Sequence, residues 1–346
     1  MAKIENNVDA GKKPVAVIIL NWNGAKLLRE FLPEVVRTTN AEIADVIVAD
    51  NGSTDDSVEV LEREFPEVKL LKFAENYGFA EGYNRAIKAT QYEYTVLLNS
   101  DVATAQHWVE PMLEYCRNHS EVAACQPKLL SYAEKTKFEY AGAAGGFIDH
   151  LGYPYCRGRI FSTVETDNGQ YDQHDVSLFW ASGAGLFVRS EVYLRAGGLD
   201  KDFFAHMEEI DLCWRIHLLG YDIRFVPESV IYHLGGGSLP AGNPRKTYLN
   251  FRNNLLLLHK NLPKKIGRRV LFIRRLYDAL AFFMFVAKLD FANARAVLKA
   301  HSDFKKMRKR YTDCQPQERN LLDEHPGSQC NIVLDYYLRG RRKFQQ

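Results

Sequence analysis

No apolar run in this chain is long enough to cross a bilayer as a helix. The longest nearly apolar stretch, Leu276–Ala287, contains Asp278 and falls short of the roughly 20 residues that a spanning helix needs. It is read as interfacial. The segment Met1–Lys13 has no apolar core and no small-residue cleavage site, so no secretory signal is expected, and the cytoplasm is the expected compartment. The six cysteines include no CxxC pair, which argues against a zinc knuckle, gives no disulfide framework and reads as reduced thiols. No GxGxxG opens the first helix and no GxxxxGK[ST] occurs, so an ordinary dinucleotide domain or a P-loop is not expected. Internal repeats and low-complexity tracts are also missing.

Acidic residues are scarce in one region. Lys260 to Arg310 holds fifteen Lys/Arg against three Asp, a local +12 in a chain of net +2. That asymmetry predicts an anionic partner. The basic residues alternate with Leu271, Phe272, Ile273, Leu276, Leu280, Phe282, Phe283 and Phe285, a pattern that suits an anionic membrane surface better than nucleic acid. The alternative is a helical hairpin packed on the main domain with a solvated basic face.

With 46% hydrophobic and 12% aromatic residues, the chain can bury a substantial core. Val15–Leu20, Ile43–Ala49, Val68–Phe73 and Tyr94–Leu98 read as strands. Ala25–Leu32, Ser57–Phe65, Gly78–Ala89 and Ala105–Asn118 read as the helices between and after them. This rhythm predicts an α/β fold, a twisted, mostly parallel sheet with helices on both faces, which binds ligands beyond the carboxyl ends of its strands. Asn21, Asn23, Asp50 and Asn99-Ser100-Asp101 fall at that edge. Residues 126–180 read as strands and loops added to one edge. Regular structure returns at Gly185–Val188, in a helix over Glu208–Leu219 and in a strand over Asp222–Val226. Three divisions are expected: a polar tail (1–13), the α/β domain that follows it, and a basic helical extension (261–346). In the last, Val333–Leu338 either docks on the chain or forms a homodimer contact.

Several residues carry candidate chemistry. A carboxylate such as Asp101 at the end of a buried strand can hold a divalent cation against a diphosphate, although Asx-x-Asp is also an N-cap arrangement. Asp50 is placed to accept from the imide of uracil or thymine. Asn76, the turn at Gly78 and Asn84 supply amides where a nucleoside would lie. His233 closes the run Ser229–Tyr232 and precedes Gly235-Gly236-Gly237-Ser238, so imidazole and carboxylate together suit Mg2+ or Mn2+, and a glycine loop lets backbone N–H groups approach phosphate. Arg245 and Lys246 are candidates for neutralising a leaving group, or belong to a solvated basic loop. Glu208, Glu209 and Asp211 crowd the start of a helix, where mutual repulsion raises carboxylate pKa values toward those of a general base; Asp211 also forms an i,i+4 pair with Arg215.

The order VIILNWNG, VADNGSTDDS, NYGFAEGYNRA, LLNSDV, WASGAGLFVRSEVYLRAGGLD, FFAHMEEIDLCWRIHLLGYDI, VIYHLGGGS and YLNFRN resembles inverting family 2 glycosyltransferases over about residues 14–260. The rhamnosyl- and galactofuranosyltransferase-like branch of bacterial polysaccharide synthesis is the most similar. The resemblance implies an A-type nucleotide-sugar fold, a nucleoside diphosphate-sugar donor, and Mg2+ or Mn2+. It implies that Asp50 binds the base and that Asp101, in the Asp-x-Asp position, holds the metal with His233, while Asn99 replaces an acid. The family's Glu-Asp pair falls on Glu208-Glu209, making Glu209 the first choice of base, with Asp211 and Glu208 as alternates. Trp180, Ser182 and Gly183 look like the family's acceptor-side wall, with a buried aromatic as the alternative reading of Trp180. The expected acceptor is a glycan or lipid-linked glycan, with the enzyme peripheral on the membrane's cytoplasmic face. The alternatives are a soluble or protein acceptor, a nucleotide-sugar-binding protein without turnover, and a metal-dependent nucleotidyltransferase.

Overall fold

The computed structural model describes residues 13–235, 242–311 and 318–344. Gly236, Gly237 and Ser238 of the glycine loop, and nearly all of the polar tail, lie outside the described residues.

The first half alternates as its periodicity requires. Strands β1 (Val15–Asn21), β2 (Ala44–Asp50), β3 (Lys69–Lys72) and β4 (Tyr94–Leu98) are interleaved with α1 (Ala25–Thr38), α2 (Ser57–Glu64) and α3 (Gly78–Thr90). β1 and β4 are apolar and almost wholly buried, as strands covered on both faces must be. Helix α1 runs past the expected stop at Leu32 and carries Pro33 inside it. An interior proline forfeits one hydrogen bond, but burial of Phe31, Leu32 and Val35 holds the remaining turns in place. The helix expected from Ala105 begins instead at Glu110, after β5 (Val102–Thr104); α4 (Glu110–Asn118) has its proline in the first turn, where no N–H is missed.

The second half builds out the sheet. β6 (Val122–Ser131) is followed by a small antiparallel sheet of β7 (Gly146–Ile148), β8 (Pro154–Cys156), β9 (Arg159–Ile160) and β10 (Thr163–Val164). Then come β11 (Gly185–Arg189), α5 (Ser190–Arg195), α6 (Glu208–Leu218) and β12 (Asp222–His233). β12 is longer than expected, because a register shift between Val226 and Val230 lets one strand run through to His233. The main sheet has the order β3-β2-β1-β4-β11-β6-β12-β5. β11 is antiparallel to both β4 and β6, and β12 is parallel to β6, so β12 points the same way as β4. The carboxyl ends of β1, β2, β4 and β12 therefore share one edge.

Helices α7 (Pro244–Asn261), α8 (Lys264–Ala287) and α9 (Phe291–Met307) follow, then α10 (Leu321–Glu324) and α11 (Ile332–Tyr337). The last segment docks on its own chain. Asp149 accepts from the Ile332 N–H, Tyr336 bonds Ser162 and Thr163, and Phe344 packs against Phe147 and Tyr155. The described cysteines are free thiols, including a buried Cys116–Cys125 pair with sulfurs 3.4 Å apart.

Candidate active site

The candidate residues fall into two clusters, one built from strand ends at the carboxyl edge and the other from the start of α6. At the first, Asp50 is buried at the end of β2, with Oδ1 accepting from Asn21 Nδ2 at 3.1 Å and Oδ2 from the Ser53 N–H at 3.0 Å. Asn23, in the left-handed region at φ 50°, accepts from the Thr54 N–H at 2.7 Å and so joins the loops after β1 and β2. Asn76 is exposed and accepts from Asn51 Nδ2 and the Gly78 N–H. Asn51 was not singled out from the sequence; it is buried and its Oδ1 accepts from the Tyr77 N–H, stapling the β2 loop to the α3 entry. Asn84 does not join this group. It bonds both backbone atoms of Leu199 and the Tyr193 hydroxyl, which turns its amide into the protein and away from a nucleoside. Its helical position, one turn inside α3, gave no hint of the partner 115 residues away.

The ends of β4 and β12 bring three residues together. His233 Nε2 lies 3.1 Å from Asp101 Oδ1, and Asn99 Nδ2 lies 3.4 Å from the same nitrogen. Backbone pairing fixes this juxtaposition, since His233 is in register with Val102 and the Leu234 N–H donates to the Asp101 carbonyl at 3.0 Å. On the far side of the ring, His233 Nδ1 lies 3.4 Å from Oε1 of Glu139, a buried carboxylate that sequence reasoning missed. Burial opposes a charge on this imidazole, but the Asp101 and Glu139 carboxylates outweigh it and lift its pKa to about 10.

Among the described residues no group of three or more His, Cys, Asp or Glu side chains is arranged to hold a metal. The pair Asp101 and His233 would fit Mg2+ or Mn2+ once the incoming cation displaces the Nε2 proton of the ring, because such ions are commonly held by few protein ligands and completed by substrate phosphate and water. Glu139 fits the outer carboxylate that orients a metal-binding histidine through its other ring nitrogen.

The second cluster sits on a strained turn. Phe204, His206 and Met207 have φ of 68°, 68° and 76°, a region that non-glycine residues occupy at a cost of about 1–3 kcal/mol each. The strain is held by α7. Asn253, fully buried, donates Nδ2 to the carbonyls of Phe203, Ala205 and His206 at 2.9, 2.8 and 2.7 Å, and Arg252 Nη2 adds a bond to Phe203 at 2.7 Å. Out of this turn rises α6, with Glu208 and Glu209 at its first two positions.

The three carboxylates then part company. Glu208 is buried, and burial, then Glu209, push its pKa well above the usual carboxylate range. Glu209 is half-buried with Oε2 unpartnered, and burial pushes its pKa up to about 7. Asp211 has no exposed surface. Its oxygens accept from Arg215 at 2.7 Å, Lys260 at 2.8 Å and Asn261 Nδ2 at 2.8 Å, and although burial opposes ionisation these cations hold its pKa down. That geometry argues against Asp211 as the base, because the side chain has no exposed surface and both its oxygens are already bonded. Its partners lie some 50 residues downstream, so only Arg215 was visible locally. Asp211→Asn should cost about 3–5 kcal/mol of stability by leaving buried cations uncompensated, read as a lower urea midpoint with activity per folded molecule retained.

The expected acceptor wall divides as well. Gly183 lies beside Glu209: a Cβ added there would meet Glu209 Cβ at 3.7 Å. Ser182 is buried, its N–H on Gln126 Oε1 at 2.9 Å. Trp180 is also buried, donating Nε1 to the Phe147 carbonyl at 2.8 Å and packing so tightly on Gly146 that a Cβ there would fall 2.2 Å from the indole. It is a prop behind the cleft. Arg245 is exposed at the start of α7, its guanidinium 5.1 Å from the Phe204 ring, so it flanks the strained turn.

Residues 16–182 match the family model described as Glycosyl transferase family 2. The chain carries a family 2 glycosyltransferase domain. It is similar to the N-acetylglucosaminyl-diphospho-decaprenol L-rhamnosyltransferase of Mycobacterium tuberculosis, at 24% identity over 233 residues, 63% of this chain and 75% of that protein. In fold it is similar to Staphylococcus aureus TarS 1-349 in complex with UDP-GlcNAc (TM-score 0.56, 15% identity, 85% of this chain and 80% of that one). It also resembles the mannosyltransferase PcManGT of Pyrobaculum calidifontis in complex with GDP-Man and Mn2+ (TM-score 0.52, 15% identity, 85% and 75% of the two chains). The glycosyltransferase domain thus has the A-type fold, a curled mixed sheet between helices with further helices after it.

Proposed function

We propose that this glycosyltransferase moves a sugar from a dTDP- or UDP-linked donor to a hydroxyl of a glycan or lipid-linked glycan, with inversion at the anomeric carbon, at an anionic membrane surface. The observation that carries the reading is the state of Glu209: a half-buried carboxylate beside Gly183 whose Oε2 has no hydrogen-bond partner among the described residues. Glu209 takes the proton from the acceptor hydroxyl, whose oxygen bonds to the anomeric carbon as the bond to the diphosphate breaks. Asp50 receives the base, and Asn21, Asn23 and Asn76 shape the loops around it. Asp101 and His233, with Asn99 and Ser100 beside them, would hold Mg2+ or Mn2+, which neutralises charge on the departing diphosphate. Ser182 and Gly183 line the acceptor side, Trp180 supports them from behind, and Arg245 flanks the entry.

Incubation with a panel of nucleotide-sugars and lipid-linked acceptors, with and without Mn2+, tests this reading. Metal-stimulated release of nucleoside diphosphate with an inverted product is expected. Nucleotide binding without release would indicate a non-catalytic binder, and release of pyrophosphate a nucleotidyltransferase. Because the base must be ionised and its pKa lies near 7, kcat/KM should fall about tenfold per pH unit below that value.

A further inference from the structure

Helix α8 is inside out for a helix exposed to water. Its charged Arg274 and Asp278 are buried, with Asp278 accepting from His301 of α9 at 2.9 Å and Arg274 donating to the Leu151 carbonyl at 3.1 Å. Val270 and Leu271 pack inward near its start, but four large apolar side chains point outward: Phe272, Leu276, Leu280 and Phe283 are 62%, 60%, 59% and 64% exposed. Spaced four, four and three residues apart, they form one stripe about 16 Å long. The hairpin tip continues it, with Leu289 at 75% and Phe291 at 53% exposure. A monomeric soluble protein rarely leaves so continuous an apolar surface open. Among the described residues no helix is long and apolar enough to cross a membrane, so the stripe is not part of a span.

Charge identifies what covers it. Lys265, Arg268 and Arg269 continue the outward face of α8, and Arg295 and Lys299 are exposed on α9. Beside the stripe, a cleft between the two helices is lined by Arg275, His301, Lys305 and Arg308 around Phe304. A second copy of this face would bring like charge against like charge, whereas anionic headgroups above acyl chains match both the cations and the stripe.

We propose that the α8–α9 hairpin seats the enzyme on an anionic bilayer, with the stripe at the headgroup–acyl boundary and the cleft against lipid phosphate. The hairpin also fixes where the active site faces. Asn293, in the first turn of α9, donates to the Gly242 carbonyl at 3.0 Å, which ties the tip to the segment just before Arg245. The entry flanked by Arg245 and Phe204 is therefore held close to the bilayer, where a lipid-linked acceptor would present its sugar. This orientation rests on the site proposed above; the docking surface does not.

The test is co-sedimentation of the full chain with vesicles of phosphatidylcholine alone or with 30% phosphatidylglycerol, in parallel with the double variant Phe272→Asp/Phe283→Asp. The full chain should bind the anionic vesicles at least tenfold more tightly than the neutral ones, with loss at high salt, and the variant should lose at least tenfold. Both positions are exposed, so the variant should keep its melting temperature and its vesicle-free donor hydrolysis, a readout that fails only if the catalytic reading fails. No preference for anionic vesicles, or equal binding by the variant, overturns the proposal. So does a dimer, seen by analytical ultracentrifugation, that the double substitution dissolves.

Discussion

Glu209→Gln should lower kcat by about 10²- to 10⁴-fold, the usual worth of a positioned general base, with the KM for the donor nearly unchanged. Glutamine keeps the shape of the side chain and removes only its ability to take a proton. The same substitution should change stability in the opposite sense. The folded-state pKa of Glu209 lies above that of an unfolded glutamate, so its contribution to stability is present at low pH and lost as pH rises through about 7. Glu209→Gln should therefore raise the melting temperature at pH 8 and leave it unchanged at pH 4. A variant that is inactive and less stable at pH 8 would mean that the carboxylate is structural. The Asp211→Asn variant marks the contrast, since its carboxylate is held ionised by Arg215 and Lys260.

Asp101→Ala should cost about 10²- to 10³-fold in turnover, since neutralising the departing diphosphate contributes several kcal/mol at the transition state. Activity alone would not separate this from a folding defect. The second readout is binding: Mn2+ should strengthen nucleoside diphosphate binding in the parent and have little effect in the variant. His233→Ala should show a weaker form of the same loss. Retention of the Mn2+ effect in Asp101→Ala would remove Asp101 from the metal role and point to Glu139 as the carboxylate in contact.

What could be read from the sequence follows the range of the interactions. The strands β1, β2 and β4 and the residues at their ends were legible because apolar runs and turn residues are local signals. His233 was legible as a strand end before a glycine loop, yet its place beside Asp101 depends on the antiparallel β11 between β4 and β6, and no local pattern announces that insertion. The Asp211–Arg215 pair was legible because it is local, whereas the contacts of Asn84 with Leu199 and of Asp211 with Lys260 and Asn261 span tens of residues and left no local mark. Pro33 misled because a proline usually marks a boundary and core burial overrode it. Glu139 had no signal and Asn253 was visible only as the end of the YLNFRN segment, with no role attached, since a buried carboxylate or amide looks like any surface polar residue until its partners are placed.

Helix α7 reaches the start of α6, where the proposed base sits, by two routes, through Asn253 under the strained turn and through Lys260 and Asn261 on Asp211. The family-matched segment ends at residue 182, well before either. Recombination between relatives is therefore constrained: a chimera joined between β12 and α7 would inherit its nucleotide-binding strands from one parent and the alignment of its base from the other. Exchange of donor specificity between such enzymes should succeed when α6 and α7 travel together as one inherited unit.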